Sequence, residues 1–291
     1  MVPWGRRTFT LVLSLKVEVS ADVRVELMTV GKELLIGRTL NTNAKWIGGR
    51  LARMGLVMKV VTTIDDDLGE ISSALGEILR REPDFLITVG GLGPTPDDMT
   101  LQGIAQGLHL KLKLNNRALS MIKEHYVSRG LANIELTPAR RKMATLPATA
   151  VPVPNDAGTA PGVRLVRGRT VIFSLPGVPA EMRSIFRGSV EPEVKMKLGP
   201  LARKTFRIKM EGMMESALAP LIASEMKRHP GAYIKSHPRG VEKGVSNIEV
   251  DVAVIAEEMK TARNEALKIV EEIVKATMAA GATIRSRPEP H

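Results

Sequence analysis

The chain has 291 residues, 44% of them hydrophobic, and a formal net charge of +11 at pH 7. That length can bury a sizeable core and divide into two domains, and no apolar run reaches the roughly 20 residues needed to cross a bilayer. The absence of cysteine excludes disulfides, thiolate zinc sites and a cysteine nucleophile, and is compatible with a cytoplasmic protein.

Residues 1–20 read as an N-terminal extension. Within it "GRRTFTLVLSL" imitates a secretory leader, but Lys16 and Glu18 soon break the apolar run and no A-x-A site follows, so an extra edge strand or an over-long start is the expectation. The run "VRVELMTVG" then predicts a strand ending at Gly31. After "NTN", any of Asn41, Thr42 or Asn43 can cap a helix whose Ile47, Leu51 and Met54 share one face and whose Gly55 occupies the left-handed C-terminal position. "VMKVVTTI" is a second strand. "DDDLGE" opens a second helix, with Asp67 and Glu70 spaced as a capping box and Ile71, Leu75 and Ile78 as its stripe. "DFLITV" is a third strand. Strand and helix alternating in steps of about 30 residues predict a parallel sheet, whose ligands bind at the carboxyl ends of the strands.

That edge receives "GGLGPTPDD". Gly90, Gly91 and Gly93 let backbone N–H groups approach an anion, with Thr95 beside them, and Asp97 and Asp98 follow. Carboxylates beside a phosphate repel it unless a divalent cation lies between, so the loop points to a metal–phosphate site. Asp65, Asp66 and Asp67 end a neighbouring strand and offer a second carboxylate, although an Asp run before a helix is also an N-cap. A solvated turn with exposed acids is the plain alternative. The loop is neither a Walker A nor a G-x-G-x-x-G sequence.

Further along, "PATAVPVPN" predicts a strand, "GVRLVRGRTVIFSLPG" a hairpin turning at Gly168, and "PAEMRSIFRGSV" a helix opened by Pro179. Residues 192–200 read as a junction. "KTFRIKM", "ESALAPLIASEMKR", "AYIKSHP", "NIEVDVAVI" and "TARNEALKIVEEIVKATMAAG" then give strand, helix, strand, strand, helix, a small α+β module. Gly158, Thr159 and Ala160 in "NDAGTAPG" and Pro176 and Gly177 in "LPGVPAEM" offer further backbone contacts to a ligand or serve only as turns. His109, His125, His229, His237 and His291 show no ligand spacing, so no histidine-based metal site is expected. The positive charge fits polyanionic partners or a merely solvated basic surface. Its scatter and the 3% aromatic content disfavour a nucleic-acid platform.

"TVGKELLIGRTLNTNAKWI", "GGLGPTPDDMT", "NDAGTAPGV" and "LPGVPAEM", in this order, resemble the molybdopterin-binding superfamily over residues 23–190, and most closely the N-terminal part of CinA-type proteins. The resemblance implies a three-layer, parallel-sheet α/β domain over residues 21–195, a small α+β KH-like domain over 196–286 and a tail over 287–291. The module lacks a G-x-x-G loop, so nucleic-acid binding is not carried over. Nor is the deamidase activity of the amidase domain found in full-length CinA proteins. What is implied is metal-dependent pyrophosphatase action on ADP-ribose-like nucleotides, with Asp98 and Asp66 holding a divalent ion, Mg²⁺ the expected one. Asp97 would orient water or a second ion. The alternative is a pterin-binding cleft in cofactor biosynthesis, without hydrolysis, and a homo-oligomer is expected in either case. One departure stands out: Lys32 occupies the position of a family Asp in "GKELL", where it either removes a metal ligand or stabilises developing negative charge, while Glu33 bonds a ligand hydroxyl or caps the turn. Asn41 and Asn43 are candidate ligand contacts or caps.

Overall fold

The computed structural model describes residues 23–131, 135–199, 202–242, 245–286 and 289–290. The expected N-terminal extension lies outside them.

Three parallel strands, β1 (Val25–Val30), β2 (Met58–Ile64) and β3 (Phe85–Val89), form where the β-rich runs stand in the sequence. A short antiparallel pair, β4 (Leu112–Leu114) and β5 (Thr145–Pro147), lies apart, and β6 (Val151–Val153), β7 (Gly162–Arg167) and β8 (Thr170–Leu175) complete a sheet ordered β2-β1-β3-β8-β7-β6. β8 is parallel to β3, β7 runs antiparallel to β8, and β6 at the far edge is antiparallel to β7 in turn. β1 is buried throughout and its residues divide between the two faces by the period of two: Val25 and Leu27 enter one core, Met28 and Val30 the other.

Helices cover both faces. α1 is the single turn Lys32–Leu35, and α2 (Thr42–Arg53) starts at Asn41, whose side chain accepts the Ala44 N–H; Ile47 and Leu51 bury its apolar stripe and Gly55 (φ 87°) ends it. α3 (Leu68–Arg80) is capped by Asp67, which accepts from the Gly69 and Glu70 N–H groups. The expected capping box is only half formed, because Glu70 accepts from the Asp65 N–H rather than from Asp67. On the α3 side lie α4 (Thr100–Gly107), α5 (Asn116–Ser128) and α6 (Pro138–Met143), none of which the hydrophobic pattern marked clearly. On the α2 side, α7 (Pro179–Ile185) runs through a π-helical turn at Phe186–Val190 into α8 (Glu191–Leu198). Residues 192–198 are therefore helical rather than a junction: Pro192 stands directly after the π-helical turn, within one continuous helical run, and Gly199 (φ 71°) breaks the chain direction.

The second unit is an antiparallel sheet of β9 (Ala202–Glu211), β10 (Ala232–Glu242), β11 (Val245–Ala256) and β12 (Thr283–Ile284), ordered β10-β11-β9-β12, with β13 (Glu289–Pro290) also against β9. α9 (Glu215–Arg228) and α10 (Met259–Ala279) cover one face, where Phe206, Ile208, Val250 and Val252 meet Leu218, Ile269 and Ile273 in a core of its own. Charged pairs such as Arg207–Asp251, with Nε to Oδ1 at 2.7 Å, lie on the sheet as well. The units touch where the Arg203 guanidinium donates to the Ala52 carbonyl, and Ile255 stands where a Cβ on Gly55 would meet it at 3.0 Å. Among the described residues, no helix is long and apolar enough to cross a membrane.

α4 packs on α3 at close range because Gly103 has no side chain: a Cβ there would stand 2.5 Å from Ile71 Cβ. Gly103→Ala is expected to destabilise the protein by about 1–3 kcal/mol through overpacking, read as a lower urea midpoint with an unchanged m-value.

Candidate functional site

The sheet reverses its winding between β1 and β3, and the crevice beyond their carboxyl ends is where a ligand can enter between the two directions of chain travel. A cleft of about 610 Å³ opens there, lined by the ends of β1, β3 and β8 and by the loops that leave them.

The Gly-rich loop is shaped by steric necessity. Gly90 has φ 108° and a Cβ on it would meet the Val30 carbonyl oxygen at 2.2 Å; Gly91 has φ 66° and a Cβ would meet Thr100 Oγ1 at 2.3 Å. The buried Thr100 hydroxyl donates to the Gly90 carbonyl at 2.8 Å and fixes the loop to the start of α4. The Gly90 N–H donates to the Leu175 carbonyl and is spent on the sheet, so it does not join the anion cradle expected of it. Three consecutive N–H groups, of Gly91, Leu92 and Gly93, find no protein acceptor among the described residues, and these residues line the cleft.

The acids gather around this cradle. Glu33, Asp66, Asp97, Asp98 and Glu181 all line the cleft, and the described lining contains no lysine or arginine, in a chain whose net charge is +11. Asp66 Oδ2 accepts the Lys32 N–H at 3.0 Å. Burial first, and then the neighbouring carboxylates Glu33, Asp65 and Asp97, hold Asp66 above the usual carboxylate range against that hydrogen bond. Asp98 Oδ2 accepts from the Thr95 N–H at 2.9 Å and its hydroxyl at 2.5 Å, while Gly93 leaves room for the carboxylate. Asp97 is exposed, and hydrogen bonding from Thr95, its own N–H and the charge of Lys142 keep it below the usual range.

Other expected residues take different places. The Lys32 ammonium does not line the cleft; it is 71% exposed and pairs with Asp65 at 3.5 Å, so Lys32 serves the cleft through its backbone N–H. Thr95 works behind the lining as the partner of Asp98, and its carbonyl accepts from Lys142 Nζ. Asn41 lines the cleft, with its side chain engaged as a cap and as a donor to Thr29 Oγ1. Asn43 donates to the Gly177 carbonyl at 2.7 Å, tying α2 to the Pro176–Gly177 turn, and its buried Oδ1 has no hydrogen-bond partner. Gly158 is buried behind the wall: a Cβ on it would strike the Glu181 carboxylate at 2.1 Å, so this glycine makes room for Glu181 rather than offering a contact. Asn155 donates to Glu181 Oε2 at 2.6 Å and to the Ala160 carbonyl at 2.7 Å, which sets Thr159 and Ala160 along the lining. An anion at the start of α7 is disfavoured, because Glu181 already supplies the negative charge there.

Glu181 and Tyr126 were not singled out from the sequence. Glu181 stood inside the quoted "LPGVPAEM", but only the fold shows that its helix begins at the cleft. Tyr126 comes from α5, with the Arg140 guanidinium 4.7 Å above its ring, and no local pattern links that helix to the Gly-rich loop.

A parallel-sheet cleft with a backbone cradle and an acidic wall defines a small-ligand-binding α/β protein. Residues 26–196 match the family described as "Probable molybdopterin binding domain", and the chain belongs to that family. It is 38% identical to a protein of Pyrobaculum arsenaticum over 90% of this chain and 95% of that one, and 43% identical to a protein of Metallosphaera sedula over 87% and 93%. Among solved structures it is similar to the protein CinA with unknown function from Thermoplasma acidophilum, with 39% identity, a TM-score of 0.53, and coverage of 58% of this chain and 98% of that one.

Two substitutions separate the scaffold from the acids. Thr100→Val should cost about 1–2 kcal/mol by leaving the Gly90 carbonyl without its buried donor, seen as a lower urea midpoint. Asp66→Asn should act in the opposite direction. The folded-state pKa of Asp66 lies above its unfolded value, so the ionised form weakens the fold at neutral pH, and stability returns as pH falls through the folded pKa. The Asn variant is therefore expected to melt higher than wild type at pH 7.5, with the difference narrowing in acid; a lower Tm would contradict this electrostatic account.

Proposed function

We propose that the cleft binds a phosphorylated small molecule through a divalent cation, Mg²⁺ being the expected ion, and cleaves the pyrophosphate of an ADP-ribose-like nucleotide. The observation that supports this reading is the pairing, in one cleft and among the described residues, of three N–H groups without a protein acceptor with five carboxylates and no basic side chain in the lining. A phosphate fits the cradle only if a cation offsets the acids, and of the five lining carboxylates Asp97 has the charge of Lys142 beside it while Asp66 is crowded by other acids. The donor set is all oxygen, as a hard cation prefers.

Asp66 and Asp98 would hold the ion, Asp98 through Oδ1 because Thr95 occupies Oδ2. When bound, the ion supplies charge neutralisation at the phosphoryl oxygens and a more acidic water. The N–H groups of Gly91, Leu92 and Gly93 orient the diphosphate, and Asp97 accepts a hydrogen bond from the attacking water. Lys142, braced on the Thr95 carbonyl beside Asp97, supplies positive charge at the loop. The exposed apolar residues Leu35, Ile36 and Leu40 beside the mouth support self-association as a homo-oligomer.

A second reading is favoured by a separate observation. The unpartnered Asn43 Oδ1 and the carboxylates of Glu33 and Glu181 are acceptors only, which suits a flat, N–H-rich heterocycle such as a pterin resting near Tyr126.

Incubation of the purified chain with ADP-ribose and MgCl₂ is expected to release AMP, to stop on chelation, and to fall by about two orders of magnitude in Asp98→Asn and Asp66→Asn. If no AMP forms with Mg²⁺, Mn²⁺ or Co²⁺, hydrolysis is rejected; saturable quenching of a soluble pterin's fluorescence by the same sample would then establish the second reading.

A further inference from the structure

The histidines show no ligand spacing among themselves, but one of them meets two acids in the second unit. Glu225 lies in the last turn of α9 and His229 caps its end, four residues on and therefore on the same side, while Glu272 reaches them from α10. His229 Nε2 is 3.1 Å from Glu272 Oε2 and 3.9 Å from Glu225 Oε2, and one ligand atom of each residue falls within 4.8 Å of the others. Donors around a tetrahedral ion with bonds of about 2.1 Å stand roughly 3.4 Å apart, so only small side-chain rotations separate this arrangement from a three-ligand shell.

Burial supplies an independent pointer. Glu225 is 2% exposed, and its Oε2, the oxygen that faces His229, is buried without a hydrogen-bond donor. Arg228 satisfies only the other oxygen, Oε1, and its second branch reaches Glu272 Oε2 at 3.2 Å from the rim, where the side chain is 54% exposed. An orphaned carboxylate oxygen in a buried position is costly, and a cation between the three donors removes that cost.

We infer that Glu225, His229 and Glu272 bind one divalent transition-metal ion, best matched by Zn²⁺, and that this ion ties the end of α9 to α10. Imidazole with two carboxylates is a donor set that suits Zn²⁺ and disfavours Mg²⁺ and Ca²⁺, which prefer oxygen alone. His229 coordinates through Nε2, and a fourth position stays open to water. The site is separate from the cleft and does not depend on what the cleft binds. The rival occupant is a proton: burial, and next to it the Glu272 carboxylate, raise the Glu225 pKa against the pull of Arg228 and His229, so a carboxyl shared between the two glutamates would fill the same gap.

The test uses the full chain carrying Asp66→Asn and Asp98→Asn, so that an ion in the cleft is not counted. After chelation and desalting, equilibrium dialysis against ZnCl₂ is expected to give one zinc per chain, and zinc to raise the Tm. Adding His229→Gln or, separately, the more exposed Glu272→Gln should weaken binding by about tenfold or more and remove the Tm increase, with the circular dichroism spectrum unchanged. Co²⁺ in place of zinc should give the intense visible absorption of a tetrahedral site in the parent only. Absence of zinc binding in the parent, or equal binding in both added variants, overturns the inference in favour of the shared proton. AMP release reads the cleft alone, so the two proposals fail independently.

Discussion

The approach of one backbone to another at the end of β1 organises this molecule. Residue 90 lies so close to the Val30 carbonyl that a Cβ would stand 2.2 Å from its oxygen, and its φ of 108° is one that only glycine adopts readily. That contact brings the exit of β3 over the exit of β1, and the Gly90 N–H and carbonyl are then fixed by Leu175 and Thr100. Everything the cleft offers follows from this closure. The three N–H groups after Gly90 are left without a protein acceptor among the described residues, Asp98 is folded back onto Thr95, and Gly177 lies where a Cβ on it would stand 3.6 Å from the Gly90 Cα, on the side formed by β8.

Charge is distributed against the composition. A chain with 42 basic and 31 acidic residues would be expected to present a basic binding surface, yet its cleft lining is acidic. Many arginines are engaged elsewhere: Arg81 forks onto the buried Glu26, Arg50 onto Glu191 and Arg164 onto Glu193, each joining elements distant in sequence. Bidentate pairs of this kind fix geometry as well as neutralise charge. The excess positive charge therefore says little about the site. What matters is that acids with raised or crowded carboxylates stand where the backbone offers donors, a combination that makes sense once a cation or an N–H-rich ligand is placed between them.

Legibility from sequence followed the range of the interactions. The strands at 25–30, 58–64 and 85–89, the cap at Asp67, the turn at Gly168 and the helix opened by Pro179 depend on neighbours a few residues away, and local pattern located them. The stretch after Pro192 misled because proline marks a break and a helix start equally well, and only packing of Val194 and Leu198 into the α2-side core chose between them. Gly158, open between a ligand contact and a turn, depends on a similarly distant partner: it leaves space for Glu181, which follows 23 positions later and arrives through the hairpin of β7 and β8. Asn41 and Asn43 read alike in "NTN" and both line the cleft, yet one is engaged by its own helix and by Thr29 of β1 and the other carries an unpaired oxygen.

The sequence by itself determined the periodicities that make a two-faced parallel sheet and a second α+β unit, the glycines without which the loop after β3 cannot turn, and the acids that give the cleft its chemistry. Those are properties of backbone sterics and side-chain type, which act over a few residues. Tertiary structure alone decided which polar groups are left over. It spent the Gly90 N–H and Asn41, sent the Lys32 ammonium away to Asp65, carried Glu181 and Tyr126 to the wall, and set His229 between two glutamates of different helices. The physical reason is that a hydrogen-bonding group becomes available to a ligand only when every nearer partner has been excluded, and that exclusion is a property of the whole packed chain.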